Sequence, residues 1–133
     1  MEFECEKGER IVIITSGPRE TLVASRKLGV QRFSVLPVDP KAVIDTTGAG
    51  DAFCGGFIAS ILQQRLSRSQ LNKLGPIQLE AILSEAIQSG NYAAREIIQR
   101  YGCAVPNTCN YKIWKNLDSD KTESSFSEFR RTA

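Results

Sequence analysis

Histidine is absent from all 133 residues, which excludes every mechanism built on imidazole, Ser-His-Asp triads and His-ligated metals among them. A surplus of charge of one sign is absent too. Lys and Arg total 17 against 15 Asp and Glu, a formal net charge of +2, so nothing in the balance calls for nucleic acid or another polyanion. The chain has no apolar run of the ~18 residues that a membrane span requires and no charged-then-apolar leader. No membrane partner and no secretory route are expected. Cysteine is sparse. Cys5, Cys54, Cys103 and Cys109 form no C-x-x-C pair and no zinc spacing, and they read as buried, reduced thiols of a cytosolic protein. With 41% hydrophobic and 24% charged residues, the composition is that of a globular chain, and the length suits one domain.

What is present centres on residues 45–57, DTTGAGDAFCGGF. An apolar approach (Ala42, Val43, Ile44) ends in a polar turn, Thr46-Thr47-Gly48-Ala49-Gly50. Asp51 follows, and a small-residue helical pattern starts at Ala52. That order predicts a loop feeding a helix N-terminus, where backbone N–H groups lack intrahelical partners and the helix dipole is positive. Glycines at 48 and 50 permit left-handed backbone and close approach of an anion. Such a turn cradles phosphate. A carboxylate beside it would repel that phosphate, so Asp51 makes best sense as a base. It takes a proton from an attacking hydroxyl while the amides hold the developing charge. The competing reading is a tight turn whose Asp caps the helix. Two other phosphate motifs do not fit: no Gly-Lys-Ser/Thr follows, as a Walker A loop needs, and no Gly-x-Gly-x-x-Gly opens directly after a strand.

The flanks supply the frame. Residues 1–10 are charged and without period. Ile11–Thr15 is a continuous β-branched run, the pattern of a strand buried on both faces. Ser16-Gly17-Pro18-Arg19-Glu20 is a turn, Thr21–Ser25 a second strand, Leu28-Gly29-Val30 a loop, and Arg32–Leu36 a third strand at a sheet edge. Asp51–Gln64 fits one helix, with Phe53, Phe57, Ile58, Ile61 and Leu62 on one side. Gly55 and Gly56 inside it cost about 1 kcal/mol each, which points to another backbone or a ligand lying close. Arg65–Pro76 reads as a basic connection holding about one helical turn. Ile77–Tyr101 has the clearest periodicity, a single stripe from Leu79 to Tyr101, with Gly102 as its expected C-cap and Pro106 as its stop. Asn91 lies off the most apolar line and is a candidate ligand contact, or simply an exposed helix residue. Lys112–Ala133 is a polar tail expected to be disordered or loosely docked, with Trp114 and Phe126 as its conceivable anchors.

The run from Asp45 to Phe57 resembles the C-terminal signature of the ribokinase-like sugar and nucleoside kinases, Asp-Thr-x-Gly-Ala-Gly-Asp-x-Phe followed by small residues. Downstream come Ser89-Gly90-Asn91-Tyr92-Ala93-Ala94, then Ile97-Ile98-Gln99-Arg100-Tyr101-Gly102-Cys103 and Pro106. This is similar to the end of the last long helix in the adenosine kinases of that family. Ile11–Gly17 is similar to the strand and Thr-x-Gly turn that these kinases place upstream. The resemblance covers residues 9–111.

It implies an α/β fold, the C-terminal part of a three-layer α/β/α kinase, here edge strands plus two long helices. Residues 1–111 belong to that portion and 112–133 to the tail. It implies ATP-dependent phosphorylation of adenosine to AMP, a purine-salvage reaction, with ATP as donor and Mg²⁺ on its phosphates, in the cytoplasm and also the nucleus. Asp51 matches the family's base, and Gly48, Ala49 and Gly50 match its anion hole. Thr15, Gly17 and Asn91 match the nucleotide side of the cleft. Asp45 and Thr47 match positions that in several ribokinase-like enzymes bind a monovalent cation such as K⁺, with a turn cap as the competing reading of Asp45. Two alternatives stand beside adenosine: a ribokinase-like sugar kinase, and a non-catalytic fragment of such an enzyme. The sequence departs from the family in three ways. Thr47 stands where most adenosine kinases have Asn, and the connection at 65–76 is long. The family's lid, Gly-Gly substrate loop and Asn-x-x-Glu motif are not in this sequence, so the isolated chain is expected to be inactive.

Overall fold

The computed structural model describes residues 9–105. The polar tail with Trp114 and Phe126, the stop at Pro106, and Cys5 and Cys109 lie outside the described residues. A three-stranded antiparallel sheet comes first, β1 (Ile11–Ser16), β2 (Arg19–Ser25) and β3 (Gly29–Phe33), in the order β1-β2-β3. A 3-10 turn at Pro40–Ala42 leads to α1 (Ala49–Gln63), then α2 (Arg68–Lys73) and α3 (Pro76–Ile98).

Among the described residues only one face of the sheet is covered. Ile11 and Ile13 pack inward beside Val23 and Phe33, whereas Val12 and Ile14, one residue out of phase, are 45% and 55% exposed. The two-faced burial expected for β1 is therefore corrected. Side chains alternate across a strand, and among the described residues α1 and α3 both pack on the Val23 side. The third strand is also displaced from its expected span at Arg32–Leu36. Gly29 adopts φ 63°, a left-handed turn open to glycine. Ser25 Oγ holds the Leu28 amide at 3.1 Å, so the chain reverses tightly and pairs Ser25 with Gly29 at once. Residues Gly29 and Val30, expected in a loop, are strand. Likewise β2 begins at Arg19 rather than Thr21, paired with Ser16 across an irregularity in β1.

The core joins sheet to helices through Val23, Phe53, Leu79, Leu83 and Ile87, with Phe57, Leu74 and Ala94 packed around them. The helix pair α1 and α3 crosses at glycines. A Cβ on Gly90 would fall 2.8 Å from the Phe53 ring and carbonyl, and one on Gly56 would fall 2.7 Å from the Ser89 carbonyl. Ser89 Oγ donates to that same turn of α1, to Gly56 O at 2.9 Å. The close backbone approach expected for Gly55 and Gly56 holds for Gly56 alone, because nothing lies within 4 Å of a Cβ at Gly55.

The connection forms α2, capped reciprocally by Ser67 and Gln70. Lys27 ties the sheet to its far end, its Nζ donating to the carbonyls of Asn72 and Leu74 at 2.8 Å each. The long helix ends at Ile98 with Gln99 as its C-cap, not at Tyr101 with Gly102. The reason lies elsewhere in the chain: the amides of Ile44 and Asp45 both donate to Ile98 O, at 2.8 and 3.2 Å. Segment 44–45 thus satisfies a last-turn carbonyl that a further helical turn would otherwise take.

Candidate functional site

The turn before α1 is built as the residue pattern demands. Gly48 is the N-cap at φ 76°, ψ 0°, a left-handed conformation that a Cβ would strain. The helix starts at Ala49, two residues ahead of the expected Asp51. Asp51 is consequently not the cap. It lies in the first turn, exposed, and no protein group bonds its carboxylate among the described residues. The Ala49 amide turns back to Thr46 O at 3.2 Å, and the Ala52 amide donates to Gly48 O at 2.9 Å. Among the described residues, the amides of Gly50 and Asp51 have no protein acceptor. Those two N–H groups at the positive end of a helix of 15 residues are available to an anion, with a carboxylate alongside.

The turn is held from behind. Asp45 accepts the Thr47 amide on Oδ1 at 2.9 Å and the Gly102 amide on Oδ2 at 3.1 Å. The Thr47 amide is the main cause that holds the Asp45 carboxyl below the ordinary aspartate value of 3.8, followed by the Thr47 hydroxyl and the Gly102 amide. Cys103 Sγ donates to Thr47 O at 3.8 Å and lies 2.5 Å from where a Cβ on Gly48 would be. Both described cysteines, Cys54 and Cys103, are free and exposed, which corrects the expectation of buried thiols.

The structure thus brings Asp45, Thr47, Gly48, Ala49, Gly50 and Asp51 into one continuous turn. The other candidate residues stand apart. Thr15 is exposed near the end of β1, and Gly17 (φ 56°) forms the β1–β2 turn. Asn91 is buried in α3, 6% exposed, and its Nδ2 donates to Ser34 O at 3.4 Å just beyond β3. Among the described residues no hydrogen bond joins these three to the 45–51 turn. Gly102 and Cys103 belong to the turn, and sequence reasoning placed them only as the end of a helix. Their signal was the Gly-Cys pair just after the last apolar turn, but nothing local ties it to Asp45.

Free helix amides beside an exposed carboxylate set anion-binding donors and a proton acceptor side by side on an α/β frame. The model of the pfkB family carbohydrate kinases matches residues 3–109, and the chain belongs to that family. Over 98 residues it is 31% identical to adenosine kinase 2 of Arabidopsis thaliana, which covers 74% of this chain and 24% of the relative. Over 95 residues it is 32% identical to the cytidine kinase of Thermococcus kodakarensis, 71% of this chain and 28% of the relative. Its fold matches the crystal structure of Anopheles gambiae adenosine kinase in complex with P1,P4-di(adenosine-5) tetraphosphate. That match has a TM-score of 0.54 and 41% identity, and covers 71% of this chain and 23% of that one. The sheet and helices described above are accordingly part of a ribokinase-like α/β fold. The chain spans about a quarter of the length of these relatives.

Proposed function

We propose that this chain carries the base and the anion-binding turn of an ATP-dependent nucleoside kinase, with adenosine as acceptor and AMP as product. The observation that carries the reading is that two amides, Gly50 and Asp51, without a protein acceptor among the described residues, stand beside the exposed carboxylate of Asp51, likewise unbonded there. In the reaction Asp51 takes the proton of the acceptor hydroxyl, whose oxygen forms the new bond to the γ-phosphorus. The bond from that phosphorus to the bridging oxygen breaks, and ADP leaves with the electron pair. The turn amides meet the negative charge on the phosphoryl oxygens, as preorganised donors that need not reorient during the transfer.

Thr15 and Gly17 are assigned to the nucleotide side of the cleft. Asn91 is assigned there as well, acting through the Ser34 backbone that it holds. Mg²⁺ carried by the nucleotide would neutralise phosphate charge. Among the described residues no group of three or more His, Cys, Asp or Glu could hold a metal ion. For K⁺, Asp45 and Thr47 are the assigned residues, but Asp45 already accepts two amides and Thr47 O a thiol. No part of the reaction is routed through that ion.

The likeness to a cytidine kinase favours a second acceptor, another nucleoside, over a free sugar. Cytoplasmic residence goes with the adenosine reading. The test is a chimera in which residues 9–105 replace the matching segment of the mosquito adenosine kinase, assayed with MgATP and adenosine, cytidine or ribose. Adenosine phosphorylation is the expected outcome, and a folded chimera that phosphorylates none of the three contradicts it. The 133-residue chain alone should give no turnover, since donor, acceptor and base must be held together with water excluded. A rate on the order of 1 s⁻¹, ordinary for an enzyme, would overturn that part.

A further inference from the structure

The carboxylate of Asp45 is used on both sides. One oxygen holds the Thr47 amide and the other the Gly102 amide, from a residue 57 positions away. The amides of Ile44 and Asp45 meet at Ile98 O, the last carbonyl of α3. Cys103 then returns to the same turn, its thiol on Thr47 O and its sulfur in the space that a side chain at Gly48 would fill. Apart from the Thr47 amide on Asp45, which is internal to 44–48, these contacts join two short segments, 44–48 and 98–103.

We propose that these groups form a clasp: Asp45 draws the Gly102-Cys103 turn against Thr47-Gly48, and the Cys103 sulfur then fixes the left-handed backbone of Gly48 from behind. Asp45, Gly102 and Cys103 are thereby positioning residues of the anion turn, with Asp45 as a bracket between two amides. Gly48 can be nothing but glycine here, for its φ of 76° and for the sulfur that occupies its side-chain space. The Gly48 N-cap sets where α1 starts, so a displaced Cys103 would shift the amides of Gly50 and Asp51 that face the anion. This effect on phosphate rests on the anion-turn reading above, whereas the clasp itself does not.

The experiment uses the full 133-residue chain as the parent, Asp45→Asn and Asp45→Ala, with far-ultraviolet circular dichroism to check that each retains its helices. Hydrogen exchange read by NMR follows the amides of Ile44 and of residue 45, which donate to Ile98 O and not to the Asp45 carboxylate. The clasp predicts protection about tenfold lower at these amides in Asp45→Ala, the size of effect that losing bonds to a charged acceptor gives to local opening. Asp45→Asn, which keeps one acceptor oxygen, should fall between. Unchanged protection in a natively helical Asp45→Ala overturns the clasp. Inorganic tripolyphosphate, titrated by calorimetry, reads the positioning role: it should bind the parent more tightly than Asp45→Ala. Equal affinity overturns positioning. No binding to the parent at all counts against the anion turn and its positioning, while the exchange rates still decide the clasp.

Discussion

Two glycine turns of this chain are both assigned to a nucleotide, and they are supported in opposite ways. Gly17, at φ 56°, closes a local hairpin, and nothing lies within 4 Å of a side chain placed there. Gly48, at φ 76°, opens a helix and has the Cys103 sulfur in that space. The first turn is made by its neighbours in sequence. The second is held by residues from beyond the far end of α3, over a helix crossing where Gly90 meets Phe53. The contrast teaches where geometry matters. Donors aimed at a transferring phosphoryl must be fixed before the reaction, whereas a turn that only flanks a nucleotide can be looser.

The contrast can be broken at Gly48. Alanine there adds strain of roughly 1–2 kcal/mol from left-handed backbone and a collision with the Cys103 sulfur, worth about 1–3 kcal/mol if the surroundings cannot give. Urea unfolding should show the sum, and Cys103→Ala in the same chain should return part of it. No recovery in the double variant would mean that the sulfur is not what fills that space.

Gly90→Ala tests the support beneath. Its Cβ meets the Phe53 ring and carbonyl, so overpacking of about 1–3 kcal/mol is expected in the same measurement. Stability unchanged by Gly90→Ala would show that the helices separate at little cost. Gly17→Ala should cost only the backbone strain, about 1–2 kcal/mol, with no partner whose removal relieves it. A loss equal to that of Gly48→Ala would erase the difference between the turns.

The smallest effect is in acid. Asp45 lies behind the Gly48 turn, and Glu9 stands beside the sheet, where Oε1 accepts the Lys27 amide at 2.8 Å. That bond is the main cause of the lowered Glu9 pKa, as the Thr47 amide is for Asp45. A folded pKa below the unfolded one means that the ionised group stabilises the fold above its unfolded value. The contribution is lost as pH falls from 3.8 for Asp45, and from 4.5 for Glu9, through the lowered folded values. Asp45→Asn and Glu9→Gln should each flatten part of the acid limb of a stability profile. Profiles identical to that of the parent would remove both carboxylates from the account.

Much of this arrangement was legible in the sequence. The order apolar approach, glycine turn, Asp51, small-residue helix located the turn that opens α1, and the stripe from Leu79 to Ile98 located the long helix. Local rules read those features because their causes are local. The errors have non-local or subtle causes. The run Ile11–Thr15 could not reveal that the described residues cover only one face of its sheet, since periodicity is silent in a continuous apolar run. One left-handed glycine, Gly29, moved β3 toward the N-terminus. The end of α3 was misplaced because Ile98 O is taken by amides more than 50 positions earlier in the chain. Asp45 and Gly102 are joined across 57 positions, a link that no spacing rule contains.

The central claim is that Asp51 is the base beside this turn, and the most direct test is Asp51→Asn in the chimera that carries residues 9–105. Asparagine keeps the size of the side chain but cannot take the hydroxyl proton. The account predicts a fall in kcat of about 10²–10⁴-fold, the contribution of a positioned general base, with KM for ATP little changed. Turnover by Asp51→Asn close to that of the unmodified chimera would contradict it.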